Sequence, residues 1–363
     1  MRKAQRASLV VCALLLTQLG SLIAPAYACG CGAMVPGPQS TIGVDRETSV
    51  VRWDGATEQI VMRFTVRGNA PEAAWIMPVP SRAKVELGDP DLFSELDDLT
   101  APEFRTRYYF WPRSADWPFA SDVDGLSAAG PLPGSTAPPV GVVGRERLGD
   151  FDVARLTATD PDALRDWLDT NGFDLPPDLT TGLQPYVDRE WEYVAVRLAP
   201  EDAGATLRGT LDPLRLSFAS DRLIYPMRLS RLADRPQSLG LYVLADHRME
   251  PRTSIGGDEP EVRFADRVSA EDSPAVSELV GADAGPAFLT AIDQHFPRPE
   301  RIDADHELRA TAADTPYQQV FYDDELRMFA GVPAWLATVG GVFVVLMLLV
   351  VGGAVLRVRR RSH

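Results

Sequence analysis

The sequence predicts an α+β, β-rich protein: an antiparallel sheet or sandwich core with a few short capped helices, followed by one C-terminal transmembrane helix. Three observations carry this. Ile60, Met62, Phe64 and Val66 alternate with Val61, Arg63, Thr65 and Arg67, the period-two pattern of a half-buried strand with a polar outer face. Further short strand-like runs follow with turn residues between them, the spacing of a sandwich or a mixed β-rich fold. Ala334 to Leu356 is a run of 23 residues without a charge. At ~1.5 Å per residue it is long enough to cross a ~30 Å hydrocarbon core.

The first 28 residues read as an export signal. Arg2, Lys3 and Arg6 form a basic start, Ala7 to Ile23 an apolar run, and Ala26-Tyr27-Ala28 a small-x-small cleavage pattern. The mature chain would begin at Cys29. The apolar run at 334–356 is the expected link to the lipid bilayer, and Arg357, Arg359, Arg360 and Arg361 follow it directly. The positive-inside rule keeps such a tail (357–363) in the cytoplasm. The expected location is therefore the cell membrane, single-pass, with the N-terminus outside and the C-terminus cytoplasmic.

The formal net charge of −15 hides a larger imbalance. Three basic residues lie in the first 28 positions and four in the last seven, with no acid at either end. The remainder holds 29 basic and 51 acidic residues, a net of −22. Such a surface repels phosphate backbones, so no nucleic acid is expected as a partner. Only Lys3 and Lys84 are lysines.

Thr48 to Trp53 reads as a strand, and Asp54-Gly55 as the turn of a hairpin into the alternating run. In "AAWIMPVPS" (73–81), Pro78 and Pro80 remove backbone donors, which predicts an edge or crossover segment with Trp75 and Met77 packed beneath. Asp89-Pro90-Asp91 opens a helix whose buried side is Leu92, Leu96 and Leu99. Asp160-Pro161-Asp162 opens another, with Leu164, Trp167 and Leu168 as its apolar stripe and Gly172 as its stop. Two such helices are expected to plug the ends of the sheet core. Phe64, Trp75 and Trp167 are expected in the core.

Residues 121–140 are small, Gly/Pro/Ser-rich and aperiodic, as in a flexible insertion. Strands resume at Val142–Arg147, Phe151–Leu156, Trp191–Leu198, Leu214–Phe218 and Leu239–Ala245. Ser273-Pro274 and Gly285-Pro286 each read as the opening of a short helix. The expected extracytoplasmic domain is 29–296, and 297–333 is a charged, weakly patterned stalk.

Local motifs for catalysis are scarce. The histidines are His247, His295, His306 and His363, and none stands in an H-x-x-x-H or H-E-x-x-H pattern. "DADHE" (303–307) gathers carboxylates round His306 without the glycine-centred ladder of a calcium loop, and reads as solvated stalk. Asp246-His247-Arg248 reads as a strand-end hydrogen-bond cluster. The sequence has no G-x-S-x-G and no phosphate-cradling loop. No catalytic, metal or cofactor residue is assigned.

Cys29 and Cys31 flank Gly30, and Cys12 lies in the signal. A lipoprotein anchor fits poorly, because Ala26 stands where such signals prefer Leu. A four-ligand metal site lacks partners. A thiol pair in an oxidising compartment remains, which gives an expected Cys29–Cys31 disulfide. Two extended residues span ~6.6 Å, at the outer edge of the Cα separation a disulfide accepts, so Gly30 must let the chain fold inward. A redox-active pair and a crosslink to another chain stay open.

The Cys-Gly run, "AAWIMPVPS", "DPDLFSELDDLT", "LRDWLDTNGFDLP", "LDPLRLSFASDRLIYPMRL" and "LYVLADHRME" together resemble the bacterial DUF2330 family, exported proteins of unknown function. The resemblance spans roughly Cys29 to Glu250. It implies an exported chain of one architecture and no particular chemistry. The functional expectation is a membrane-anchored acidic module that binds or scaffolds an unknown envelope partner. The alternative is an envelope enzyme, either a hydrolase or a thiol oxidoreductase using Cys29 and Cys31.

Overall fold

The structure, a computed structural model, describes residues 28–29, 31–116, 147–148, 151–156, 161–174, 177–200, 205–281 and 285–361. The signal at 1–28 (except Ala28), the insertion at 121–140 and most of the strand expected over Val142–Arg147 lie outside them. The described residues fall into two compact units. One is drawn from Met1–Ala101 and Val140–Gln319, the other from Pro102–Pro139 and Val320–His363.

The first unit is built on the hairpin that the alternating run specifies. Strands β3 (Ile42–Trp53) and β4 (Thr57–Gly68) pair antiparallel, Val50 opposite Val61. Asp54 closes the turn by accepting from the amides of Ala56 and Thr57, at 3.1 and 2.8 Å, and Gly55 takes the left-handed φ of 92° that the turn requires. Around this hairpin grows a sheet of nine strands. Next to β3, in parallel, lies β14 (Gln237–Ala245); then come β17 (Ala287–Phe296), β16 (Glu261–Val268) and β19 (Tyr317–Gln318). On the other side β4 pairs with β11 (Gly209–Thr210) and β12 (Leu214–Ala219), which pairs with β6 (Lys84–Leu87).

A second sheet has the order β1 (Ala28–Cys29), β2 (Gly32–Pro36), β5 (Ala73–Val79), β10 (Glu192–Leu198), β9 (Phe151–Leu156) and β8 (Arg147–Leu148). The main core lies between the two sheets. Ile60, Met62, Phe64 and Val243 come from one, Trp75, Met77, Val194 and Val196 from the other, each 0–1% exposed. Phe64 and Trp75 meet across the layers with ring centroids 5.4 Å apart.

The helices do not plug the ends of this sandwich; they cover its outer faces, and Asp91 at the start of the first makes no side-chain capping bond. Helix α1 (Leu92–Leu99) buries Leu92, Phe93 and Leu96 on the outer face of the larger sheet, beside α4 (Pro274–Val280). That is why Val61 is buried, and why Arg63 on the same side lies over the Phe93 ring at 4.5 Å instead of facing open solvent. On the outer face of the smaller sheet, α2 (Pro161–Thr170) contributes Leu164 and Leu168 and α3 (Pro177–Val187) contributes Leu179, Leu183 and Tyr186. Trp167 packs there too, only partly buried. Both sheets are therefore covered on both faces, and the unit has four layers, helix–sheet–sheet–helix.

Three segments depart from the sequence reading. "AAWIMPVPS" is not an edge: β5 has neighbours on both sides. The two prolines are tolerated because the ladder to β2 ends at Ile76, so Pro78 and Pro80 lie beyond it. Gly285-Pro286 opens no helix. It leads into β17, which pairs with β14 over Phe288–Phe296 and with β16 over Ala287–Asp293. Where a weakly patterned stalk was expected, residues 299–310 belong to the first unit. Ile302 is fully buried and β18 (His306–Ala310) pairs with β13 (Ile224–Tyr225) and β15 (Met249–Pro251).

In the second unit, β7 (Glu103–Tyr109) and β20 (Val320–Leu326) form a parallel two-stranded ribbon from Glu103 opposite Val320 to Tyr109 opposite Leu326. A tight hairpin, β21 (Met328–Phe329) and β22 (Val332–Pro333), follows, and then helix α5 (Ala334–Arg361).

Candidate functional site

Two places in the first unit gather chemistry, one inside the sandwich and one on its surface. The interior cluster forms because β3 carries polar residues inward. Glu47, Ser49 and Val51 alternate on the core face, so Glu47 is buried to 2% exposure and Ser49 completely. The Glu47 carboxylate accepts from the Cys31 backbone amide at 2.9 Å, from Ser49 Oγ at 3.4 Å and from the Tyr225 hydroxyl. The Tyr225 hydroxyl is also 2.6 Å from Ser49 Oγ. The Cys31 thiol is hydrogen-bonded to Glu47 and lies 3.5 Å from Met62 Sδ. Burial pushes the Glu47 carboxyl above the usual carboxylate range, and the bonds from Cys31, Tyr225 and Ser49 offset part of that rise. Burial, with the neighbouring Cys31 and Glu47, likewise pushes the Tyr225 hydroxyl well up.

Of the two sequence-predicted site residues, Cys31 is thus a core residue. A thiol exchanges only when its sulfur can be reached, and this one is enclosed at 0% exposure. What the arrangement does is structural: one carboxyl ties the turn before β2, strand β3 and strand β13 together. Cys29 pairs through its backbone with Gly32; its side chain lies outside the described residues. The chain can cross there only as glycine, because a Cβ on Gly32 would sit 2.5 Å from the Ile76 carbonyl oxygen.

The surface site is a groove in two compartments that meet at Asp221 and Arg222. One cavity of about 320 Å³ has an apolar floor of Trp53, Leu223, Met249 and Leu308 and a rim that includes His247 and Arg252. The other, about 370 Å³, is walled by Pro80, Trp191 and Ile224, with Arg189 and Glu307. The loop bearing Asp221 and Arg222 joins β12 to β13 and is pinned at its ends. Ser220 N donates to the Ala56 carbonyl at 2.9 Å, and Ile224 N to Glu58 Oε2 at 3.3 Å. Glu58 is fully buried under this loop, and burial pushes its carboxyl well above the usual carboxylate range, with the bond from the Ile224 amide offsetting part of the rise. Arg222 bonds Asp221 at 3.0 Å and lies 3.7 Å from Glu307.

"DADHE" is not solvated. Asp305 and His306 are 5% and 2% exposed. Asp305 accepts from the Tyr186 hydroxyl at 2.6 Å, from the Met227 and Arg228 amides at 2.9 and 3.1 Å, and from the Arg189 and Arg228 side chains, both at 3.3 Å. His306 Nε2 is 2.7 Å from Gln294 Oε1. The Gln294 amide nitrogen donates to the carbonyls of Gly256 and Asp258, so its oxygen faces the ring and Nε2 carries the proton. Burial lowers the His306 pKa to about 4, so the ring is neutral. His247, at the groove rim, is 3.1 Å from Asp314, which also accepts from Arg248 N at 2.8 Å. This is the satisfied strand-end cluster that Asp246-His247-Arg248 suggested.

Sequence reasoning missed Glu47, Glu58, Tyr225 and the groove. Extending the strand back from Thr48 would have put Glu47 in phase with Ser49 and Val51. Nothing local marks Arg222, whose neighbours in the groove come from segments far apart in the chain.

The described residues thus define a class: a four-layer β-sandwich protein carrying a C-terminal helix, Ala334–Val358, long and apolar enough to cross a membrane. The chain belongs to the family described as "Uncharacterized protein conserved in bacteria (DUF2330)", whose model matches residues 25–309. No curated protein matches it. Two solved structures show a remote likeness. A mutated baculovirus P35 after caspase cleavage is 6% identical, with 73% of this chain and 99% of that one covered, at a TM-score of 0.31. The caspase-8/P35 complex gives 8% identity, 76% and 96% coverage, and a TM-score of 0.28. Likeness at this level carries no argument about fold or function.

Proposed function

We propose that this chain is a single-pass membrane protein holding an acidic binding module outside the cell, with the groove around Arg222 as its ligand-binding face. One observation carries the second half: two adjoining cavities meet at one arginine, and each combines a tryptophan wall with arginine. Tryptophan and arginine supply contact area and directed hydrogen bonds, the pairing that dominates binding sites. The first half rests on the unburied apolar helix, the arginine run after it, and the export-signal pattern of residues 1–28. The unknown envelope partner is to be sought with a photo-crosslinking amino acid at Arg222 or His247 in intact cells, with exposed Arg235 as the control position. The expected result is a discrete adduct from the two groove positions and none from Arg235. No adduct, or the same ladder from all three, contradicts the assignment.

A Cys29–Cys31 disulfide belongs to the same reading, formed in an oxidising compartment before the core closes over Cys31, with the S–S bond replacing the thiol's hydrogen bond to Glu47. A loop so small removes little chain entropy, so the bond would add little stability. Intact mass of the exported chain after alkylation in denaturant, with and without prior reduction, is expected to differ by two alkyl groups, since Cys31 is enclosed in the folded chain. Equal masses, or a dimer on a non-reducing gel, would exclude an intramolecular bond.

A further inference from the structure

The second unit exposes large apolar side chains close to the first residue of α5. Met328 is 54% exposed, Phe329 70% and Val332 42%, all on the β21–β22 hairpin. Its two-residue turn is Ala330-Gly331, both at positive φ (51° and 81°). The hairpin is fixed to the helix: Ala334 N donates to the Arg327 carbonyl at 2.8 Å. It is also fixed to a strand more than two hundred residues earlier, because Arg327 N donates to the Tyr109 carbonyl at 2.9 Å.

Two residues beyond Tyr109 comes Trp111, 65% exposed. At ~3.3 Å per residue its Cα is within about 7 Å of Tyr109. Trp111 does not sit on a loose loop. The Tyr109 hydroxyl donates to both Asp116 oxygens, at 2.9 and 3.0 Å, and Arg113 N donates to Asp116 at 2.6 Å. The Arg113 guanidinium stacks 4.1 Å from the Tyr109 ring centroid, and Phe110 meets Trp111 edge-on at 5.2 Å. A tethered loop that still leaves its tryptophan bare is built to present it.

We propose that Trp111 and the hairpin Met328–Pro333 enter the interfacial layer of the phospholipid bilayer together, so that this unit is held to the membrane surface by two separate stretches of chain. The proposal rests on the reading that Ala334–Val358 spans the bilayer. If it does, Phe329 and Val332 lie two to five residues from the point where the helix enters hydrocarbon. Interfacial layers are only some 5–8 Å thick on each side, and tryptophan is enriched there, with its ring at headgroup level and its N–H still wet. The hydrogen bond from Arg327 to Tyr109 brings the second stretch to the same depth. An anchor at two points restrains the tilt of the unit, which a single helix leaves free.

The test uses the full chain in vesicles of phosphatidylcholine and phosphatidylglycerol, with an environment-sensitive fluorescent amino acid at position 111, 329 or 345. Quenching is compared among lipids carrying a nitroxide near the headgroup, lipids carrying it deep in the acyl chain, and aqueous iodide. Positions 111 and 329 are expected to be quenched at least twofold more by the shallow nitroxide than by the deep one, and to be shielded from iodide. Position 345 is expected to favour the deep nitroxide. If 345 behaves so while 111 and 329 respond only to iodide, the helix spans and the proposal is wrong. Lipid quenching at 329 with iodide quenching at 111 rejects the two-point contact. Shielding of 111 from iodide without lipid quenching, relieved by diluting protein among vesicles, means that a second copy covers it and overturns the proposal. No lipid quenching at 345 removes the spanning reading and the proposal with it.

Discussion

Replacing Phe64 with alanine is expected to cost about 3–5 kcal/mol. The ring is 1% exposed at the centre of the inter-sheet core and meets Trp75 at 5.4 Å. Both sheets are pinned by helices on their outer faces, so neither can collapse into the space the ring would leave. Urea unfolding of the full chain in detergent, followed by tryptophan fluorescence, measures it: the midpoint falls with the slope unchanged. A loss below about 1 kcal/mol would mean that the site relaxes freely and that the two sheets are not in register across the core.

The second large effect is a pH dependence centred on His306. Its folded pKa, about 4, lies below the ordinary 6.5, so between these values the unfolded chain binds a proton that the folded one refuses. Stability therefore falls as pH drops from about 6.5 to 4. A fall from 6.5 to about 4 corresponds to about 3 kcal/mol at most. The groups that face the ring are Gln294, which accepts from Nε2, and the Asp305 carboxylate, which only partly opposes the shift. Glu47 and Glu58 act with the opposite sign. Their folded pKa values are raised, so the stability they contribute is present at low pH and is lost as pH rises through those values. The difference between wild type and His306→Gln isolates the histidine, since glutamine keeps a donor near Nε2. The two chains are expected to converge in stability toward pH 4, with wild type ahead at neutral pH. Parallel curves would mean that His306 is accessible to protons in the folded state.

Much of the architecture was written locally. The β3–β4 hairpin, its Asp54-Gly55 turn and helices α1 and α2 follow from period and proline, and the Ser273 cap of α4, where Oγ accepts from Val276 N at 3.1 Å, from its serine; the side-chain cap expected from Asp91 is not made. The failures have one cause: they turned on partners distant in sequence. Pro78 reads as an edge residue unless one knows that β2 stops short of it. Gly285-Pro286 reads as a helix start until β14 and β16 claim the next ten residues. Asp305 and His306 look solvated in an acidic run, yet Tyr186, Arg189 and Arg228 are folded over them from more than seventy residues away. The groove was illegible for the same reason. Cys29 and Cys31 drew attention because only Gly30 separates them, whereas the burial of Cys31 is set by Glu47 and Met62 on other strands.

The central claim is that the sandwich stands outside the membrane that Ala334–Val358 crosses. Protease added to intact spheroplasts, with an epitope tag fused after His363, tests it most directly. The expected result is loss of the full-length band and survival of a short tagged fragment containing the helix. A tag that is digested while the first unit survives would contradict the orientation, and a full-length chain cut at both ends or at neither would contradict the single crossing.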